Sequence, residues 1–213
     1  MRFDKNSLLL YAVGGKGNDK DFDILGRIES AIAGGVTLIQ LREKYMGDYD
    51  FLMEAKEALK ICHRGGVPLI INDRLHIAVA ARADGIHVGL EDTSVSVIRK
   101  KMPSGFIIGA TAKTVDQARC AEEAGADYLG VGAVFPSPTK ADAIRITKDQ
   151  LSEICSSVSI PAVAIGGISY ENADELNGSG IAGIAVSSAV FSADDTETAS
   201  KLLKEKAEDI IHV

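Results

Sequence analysis

The sequence predicts an α/β protein, a single (β/α)8 TIM barrel spanning residues 1–213. Three observations carry that expectation. Short apolar runs of strand type recur at 8–13, 36–41, 67–72, 84–88, 106–111, 127–132, 161–166 and 183–187. Helical patterns lie between them. The same kind of glycine-bearing phrase ends one helix and starts the next strand: "AGGV" (33–36), "RGGV" (64–67), "AGAD" (124–127) and "GSGIAG" (178–183). Glycine there supplies the left-handed helix stop. Units of roughly 25 residues, with no linker and no composition break, indicate a closed parallel barrel. The alternative is an open doubly wound sheet, which rarely runs to this many even repeats.

The first run, "LLLYAV", leads into "YAVGGKGND" (11–19), glycine-rich but without Walker spacing, and so read as a rim loop. The second, "VTLIQL", runs directly into Arg42, Glu43 and Lys44. A helix follows over 49–65. Leu52, Ala55, Leu59 and Cys62 keep helical spacing, Asp48 is placed to cap its start, and Gly65–Gly66 stop it. "VPLIIN" is the third strand, and "DGIHV" the fourth, with His87 read as lining the barrel. After "FIIGAT", Thr114 and Gln117 form a capping box for a helix to Ala124. Strands "DYLGVG", "PAVAIG" and "GIAVS" complete the set. Ser192 is placed to cap the last helix, whose "KLLKEKAED" stretch is a solvated face.

Composition bounds the function. A net charge of −7 argues against a general nucleic-acid or acidic-membrane surface, either of which wants a basic face. It leaves room for a small anionic substrate bound by local cations. Cys62, Cys120 and Cys155 are odd in number and lack CxxC spacing, so they read as reduced core thiols of a cytoplasmic protein. No signal-type segment or membrane-length apolar run is found. Ser-His-Asp order, zinc spacing and GxGxxG are missing too, and His63 and His212 read as helix-end and tail residues.

In a barrel of this kind the active site lies at the carboxyl ends of the strands. Those ends carry Gln40, Arg42, Glu43 and Lys44; Asn72, Asp73 and Arg74; Glu91 and Asp92; Thr111 and Lys113; Ser137, Thr139 and Lys140; Gly166 and Gly167; and Ser187 and Ser188. The opposite ends carry mostly Gly, Ala, Pro and Val. Asp73 and Asp92 end neighbouring strands, about 4.8 Å apart in such a sheet. Two carboxylates that close call for a cation, and oxygen ligands suit Mg²⁺ together with phosphate oxygens. The alternative is that each aspartate caps a helix. The surrounding cations favour a polyanion such as diphosphate. "GGIS" and "SSAVFS" after strands seven and eight read as a second, metal-free phosphate site.

Taken together, "IQLREK" (39–44), "INDR" (71–74), "DGIHVGLED" (84–92), "YLGVGAVFPSPTKADA" (128–143), "IPAVAIGGI" (160–168) and "GIAGIAVSSAVFSADD" (180–195) resemble the thiamine-phosphate synthase family over nearly the whole chain. The resemblance implies a Mg²⁺-dependent transferase of thiamine biosynthesis. It joins 4-amino-5-hydroxymethyl-2-methylpyrimidine diphosphate to a thiazole phosphate and releases diphosphate. It further implies that Gln40, Leu41, Arg42, Glu43, Lys44 and Asn72 hold the pyrimidine diphosphate. Asp73 and Asp92 are implied as metal ligands, and Arg42, Lys44, Thr111 and Lys140 as the catalytic set around the diphosphate. Ser137, Pro138, Thr139, Gly167, Ser187 and Ser188 are implied to hold the thiazole phosphate.

Four departures from the family pattern stand out. "GATAKT" replaces "GxSxHT", so Thr111 and Lys113 stand for serine and histidine; Leu90 replaces a polar residue in "GLED"; "AVGG" (12–15) replaces "VTD"; and Ser187 replaces valine. A thiazole tautomerase is the nearest rival, but it relies on the histidine that is Lys113 here and needs no metal pair. A non-catalytic phosphate-binding barrel is the other, and it could lose Asp73, Asp92 or Lys140, all of which are present.

Overall fold

Each apolar run becomes a strand, most of them trimmed at the ends, with the first and fifth each running one residue past the expected end. The computed structural model describes residues 3–17, 19, 21–136 and 145–211. The strands are β1 (Leu10–Gly14), β2 (Leu38–Leu41), β3 (Leu69–Asn72), β4 (Gly85–Val88), β5 (Ile107–Ala112), β6 (Tyr128–Gly132), β7 (Ala162–Ile165) and β8 (Gly183–Val186). They close in sequence order into a parallel barrel, and β8 returns to β1 through Leu10↔Ile184 and Ala12↔Val186.

The helices are α1 (Ile24–Ala33), α2 (Asp48–Arg64), α3 (Leu75–Ala81), α4 (Val95–Lys101), α5 (Val115–Glu123), α6 (Lys148–Ser156), the four-residue α7 (Ser188–Phe191) and α8 (Thr196–Ile211). After β7 the crossover is only a 3-10 turn, Ala173–Leu176. The segment from Asn172 to Gly180 holds two asparagines and two glycines, and both glycines have positive φ, so a longer helix has no run in which to form. Gly35, Gly66 and Gly125 also have positive φ (+99°, +72°, +95°), as the repeated helix-stop phrase requires.

Alternation along the strands separates two cores. Leu10, Ala12, Ile39, Leu41, Ile71, Ile86, Ile108, Leu129 and Ile184 face the helices. Tyr11, Val13, Leu38, Ile70, Ile107, Tyr128, Val163 and Ala185 fill the barrel interior. Glycine on β5 and β6 makes room for the large interior rings. A Cβ at Gly109 would overlap the Tyr128 ring and His87 Nδ1, and one at Gly130 would press on the His87 ring.

Two expected caps fall elsewhere, and the third, Thr114, holds its place with only half of its box. Gly47 takes the cap position of α2, and Asp48 lies in its first turn, where it accepts from Arg74 Nη1 (3.0 Å) and meets His76 Nε2 (2.8 Å). Gln117 N donates to Thr114 Oγ1 (3.2 Å), but the Gln117 side chain accepts from Lys113 N (2.8 Å), so the box closes one residue early. Ser192 ends α7, and the first turn of α8 is tied by Asp195, which accepts from Thr198 N at 3.0 Å. The three cysteines are free, with Cys62 buried but Cys120 exposed, so Cys120 is not a core thiol. Among the described residues no helix is long and apolar enough to cross a membrane.

Candidate active site

The charged end of β2 divides into inward, outward and rim-facing groups. Gln40 points into the barrel, is buried, and donates through Nε2 to the Tyr11 hydroxyl. Leu41 faces the helix side, fully buried. Arg42 N donates to Gly14 O (2.8 Å), which extends the β1–β2 ladder and leaves its side chain half-buried at the mouth. Glu43 is buried, and its carboxyl accepts from Lys16 N of the β1–α1 loop. Lys44 is exposed on the rim. Arg74, which the sequence grouped with the diphosphate cations, grips the β2–α2 loop instead. Its guanidinium donates to Met46 O (2.8 Å) and Lys44 O (3.3 Å), pairs with Asp48, and lies over the Phe51 ring.

Asn72, Asp73 and Asp92 meet beside Arg42. Asp73 N donates to His87 O (2.9 Å), and Asp73 has φ +59°, a left-handed conformation just past the strand end, with its carboxyl against the Asp92 and Asn72 side chains. Burial and the adjoining Asp92 carboxyl push Asp73 up to about 6, while the Asn72 side chain and the Arg42 guanidinium act in the opposite direction. Asp92 is exposed and is held by Gly89 N (2.7 Å) across a tight turn. Two adjacent carboxyls that raise proton affinity are the electrostatic condition a divalent cation relieves. The donor set therefore fits Mg²⁺. Among the described residues no group of three or more His, Cys, Asp or Glu side chains gathers, so the protein would give two ligands and leave the rest to substrate oxygens and water.

Below the mouth a buried polar chain crosses the barrel. Thr111 Oγ1 meets His87 Nε2 (3.1 Å), His87 Nδ1 meets Tyr128 OH (3.2 Å), and Tyr128 OH meets Tyr11 OH (2.8 Å), which receives Gln40. Five strands (β1, β2, β4, β5 and β6) thus share one hydrogen-bonded floor. Burial holds both tyrosine hydroxyls well above their usual range, so they stay neutral and the floor carries no phenolate.

The far side of the mouth is formed by β7 and β8. Gly166 and Gly167 have φ +103° and +68°, and Gly167 packs against the carbonyls of Phe135 and Pro136 with no space for a Cβ. Ser187 and Ser188 are exposed at the head of α7. Ser137, Pro138, Thr139 and Lys140 lie outside the described residues. Lys113 lines a cleft of about 260 Å³ with Thr114, Asp116, Gln150 and Glu153, between α5 and α6.

Sequence reasoning missed Tyr11, Tyr128 and Glu54. The tyrosines occupy inward positions of β1 and β6, where a hydroxyl among apolar neighbours signals a polar layer. Glu54 falls on the buried stripe of α2 with Phe51, Ala55, Ala58 and Cys62. An acidic residue in that stripe is the sign of a partner.

Known proteins share the barrel and much of the sequence. Residues 10–190 match the family model described as thiamine monophosphate synthase. Thiamine-phosphate synthase 2 of Streptococcus pneumoniae serotype 4 is 42% identical over 208 residues, 98% of this chain and 99% of that one. Thiamine-phosphate synthase of Coprothermobacter proteolyticus is 45% identical over 201 residues, 94% and 95% of the two chains. The solved structure of thiamine phosphate pyrophosphorylase from Pyrococcus furiosus superposes with a TM-score of 0.88 at 35% identity, covering 97% of this chain and 98% of that one.

Proposed function

Because the chain belongs to the thiamine monophosphate synthase family, we propose that the groups at its barrel mouth carry out that family's coupling reaction in the roles that follow. The chain is a transferase acting on small phosphorylated substrates. It joins a hydroxymethylpyrimidine diphosphate to a thiazole phosphate, giving thiamine phosphate and diphosphate.

The reaction needs a leaving group stabilised and a nucleophile positioned. In our reading the pyrimidine C–O bond breaks first and its electron pair departs with diphosphate. The thiazole nitrogen then gives its lone pair to the resulting methylene cation. That nitrogen carries no proton to remove, so no general base is required, in keeping with a site built from cations and amides. Gln40 and Asn72 orient the pyrimidine, and the floor of Tyr11, Tyr128 and His87 supports Gln40 and Thr111 from below. Leu41 and Glu43 hold the β2 end from behind the rim. Arg42, Lys44, Thr111 and Lys140 bind the departing diphosphate. Asp73 and Asp92 would hold Mg²⁺, which supplies charge neutralisation on the diphosphate oxygens. Ser137, Pro138, Thr139, Gly167, Ser187 and Ser188 hold the thiazole phosphate. The reading includes a cytoplasmic enzyme without nucleic-acid or membrane partners, which the acidic net charge and free thiols support.

The observation that carries the chemistry is the Asp73–Asp92 pair facing Arg42 at adjoining strand ends. Purified protein given both substrates and Mg²⁺ should release diphosphate, and silence in that assay overturns the reading. In Asp92→Ala, turnover should fall about 100-fold or more, with Mg²⁺ dependence lost while thiazole phosphate still binds. Unchanged turnover would remove the metal role.

A further inference from the structure

Behind the rim, two carboxyl groups that the coupling chemistry does not use meet under the β1–α1 loop. Glu43 closes the charged end of β2, and Glu54 projects from the inner face of α2; they are 4% and 7% exposed. Glu43 accepts from the backbone N–H groups of Lys16 and Gly17, and Lys16 Nζ pairs with Glu54 Oε2 at 2.8 Å. The loop lies hard against the strand end. Arg42 N bonds Gly14 O, and a Cβ on Gly15 would overlap the Arg42 carbonyl and the Glu43 carboxyl.

Glu43 Oε2 and Glu54 Oε1 are both buried, and neither takes a hydrogen bond from an ordinary donor among the described residues. Two ionised carboxylates against one ammonium would leave a buried net charge, which is costly. A single proton between the two carboxyls engages the open acceptor. It also leaves one negative charge opposite Lys16, a neutral cluster.

We propose that Glu54 is a positioning residue for the diphosphate end of the site. By sharing a proton with Glu43 and pairing with Lys16, it holds the β1–α1 loop against the strand end that presents Arg42 and Lys44. The proposal rests on the coupling reading for what Arg42 and Lys44 bind, and on geometry for the latch. Burial, and then the neighbouring Glu54, push Glu43 up to about 7. The charged groups facing the pair are Lys16 from the loop and Asp23 at the head of α1, with Arg42 next along the chain. A carboxyl raised in this way keeps its proton below about 7 and loses it above. The latch is therefore closed at lower pH and loosens as pH rises through that value.

Inorganic diphosphate with Mg²⁺ is the probe, its affinity measured by calorimetry near pH 6 and pH 8.5 on the whole chain. Glu54→Leu should weaken diphosphate about tenfold near pH 6 and speed amide exchange at 14–17 and 42–44, leaving thiazole phosphate affinity within about twofold. Glu54→Gln keeps a donor toward Glu43 but has no proton to lose. The ratio of wild-type to Glu54→Gln affinity should thus fall between the two pH values, and titration of the probe and of the metal site cancels in that ratio. Unchanged affinity and exchange in Glu54→Leu overturns the proposal. So does a pH-independent ratio, which decides alone if Glu54→Leu does not fold. If wild type fails the coupling assay, the functional reading falls while exchange and diphosphate binding still decide the latch.

Discussion

The hydroxyl of Tyr128 lies between Tyr11 OH at 2.8 Å and His87 Nδ1 at 3.2 Å, deep among apolar side chains. A buried hydroxyl without partners costs more than it returns, so its survival in this position reflects those two bonds. Through them it links β6 to β1 and β4, and through His87 to Thr111 on β5. Tyr128→Phe keeps the ring that fills the space left by Gly109 and removes only the bridge. Net loss of two buried hydrogen bonds should cost about 1–3 kcal/mol in urea unfolding. Turnover should fall as well, because Thr111 loses the chain that orients His87. A variant as stable as wild type would show that the floor is held by ring packing alone. Residue identity told less than residue direction here: the sequence shows a tyrosine in each of two strands, but that their hydroxyls meet, and that Tyr128 then reaches His87, depends on the barrel's register.

At the scale of elements, helix stops test how far local chemistry sets the frame. Gly66 has φ +72°, and nothing lies within 4 Å of the place an alanine methyl would take, so the strain of Gly66→Ala is purely conformational. It should destabilise the protein by about 1 kcal/mol. Gly105 is equally open and has no positive φ, so Gly105→Ala should be neutral or stabilising by up to about 1 kcal/mol. Thermal unfolding of the two variants side by side checks the contrast; equal effects would remove the left-handed stop as the reason for the repeated phrase. The strands and most helices were legible because continuous apolar runs, buried on both faces in a parallel barrel, and these stops are local signals. Caps were less so. Asp48 was drawn off to Arg74 and His76, partners from another element, whereas the start of α8 went to Asp195, a local partner three residues before Thr198. The short 3-10 crossover after β7 was hidden by the even spacing of its neighbours. At the site, charge gathers at the strand ends in the sequence, but that Glu43 and Arg74 turn away to hold loops depends on contacts between elements.

For the whole molecule, the last helix covers the place where the barrel closes. β8 pairs with β1, and α8 packs across α1 just outside that seam. Leu203, Ala207 and Ile210 are buried on α8, and Gly34 at the end of α1 approaches Glu197 and Ser200 too closely for any side chain. Arg27 of α1 donates to Ala193 O (2.7 Å) and Thr196 Oγ1 (3.0 Å), fixing where α8 begins. Exposing Leu203 and Ile210, together with the apolar face of α1 that they cover, removes about 1.5–3 kcal/mol for each large side chain. Total stability of a domain is about 5–15 kcal/mol, so the loss is of the same order as the whole. A chain truncated after Asp195 keeps every proposed site residue, yet it should show no cooperative urea transition and should bind a hydrophobic dye. A cooperative transition in that truncated chain would mean that the eight strands close without α8, and that the seam is stabilised from inside the barrel by Tyr11 and Ala185 instead.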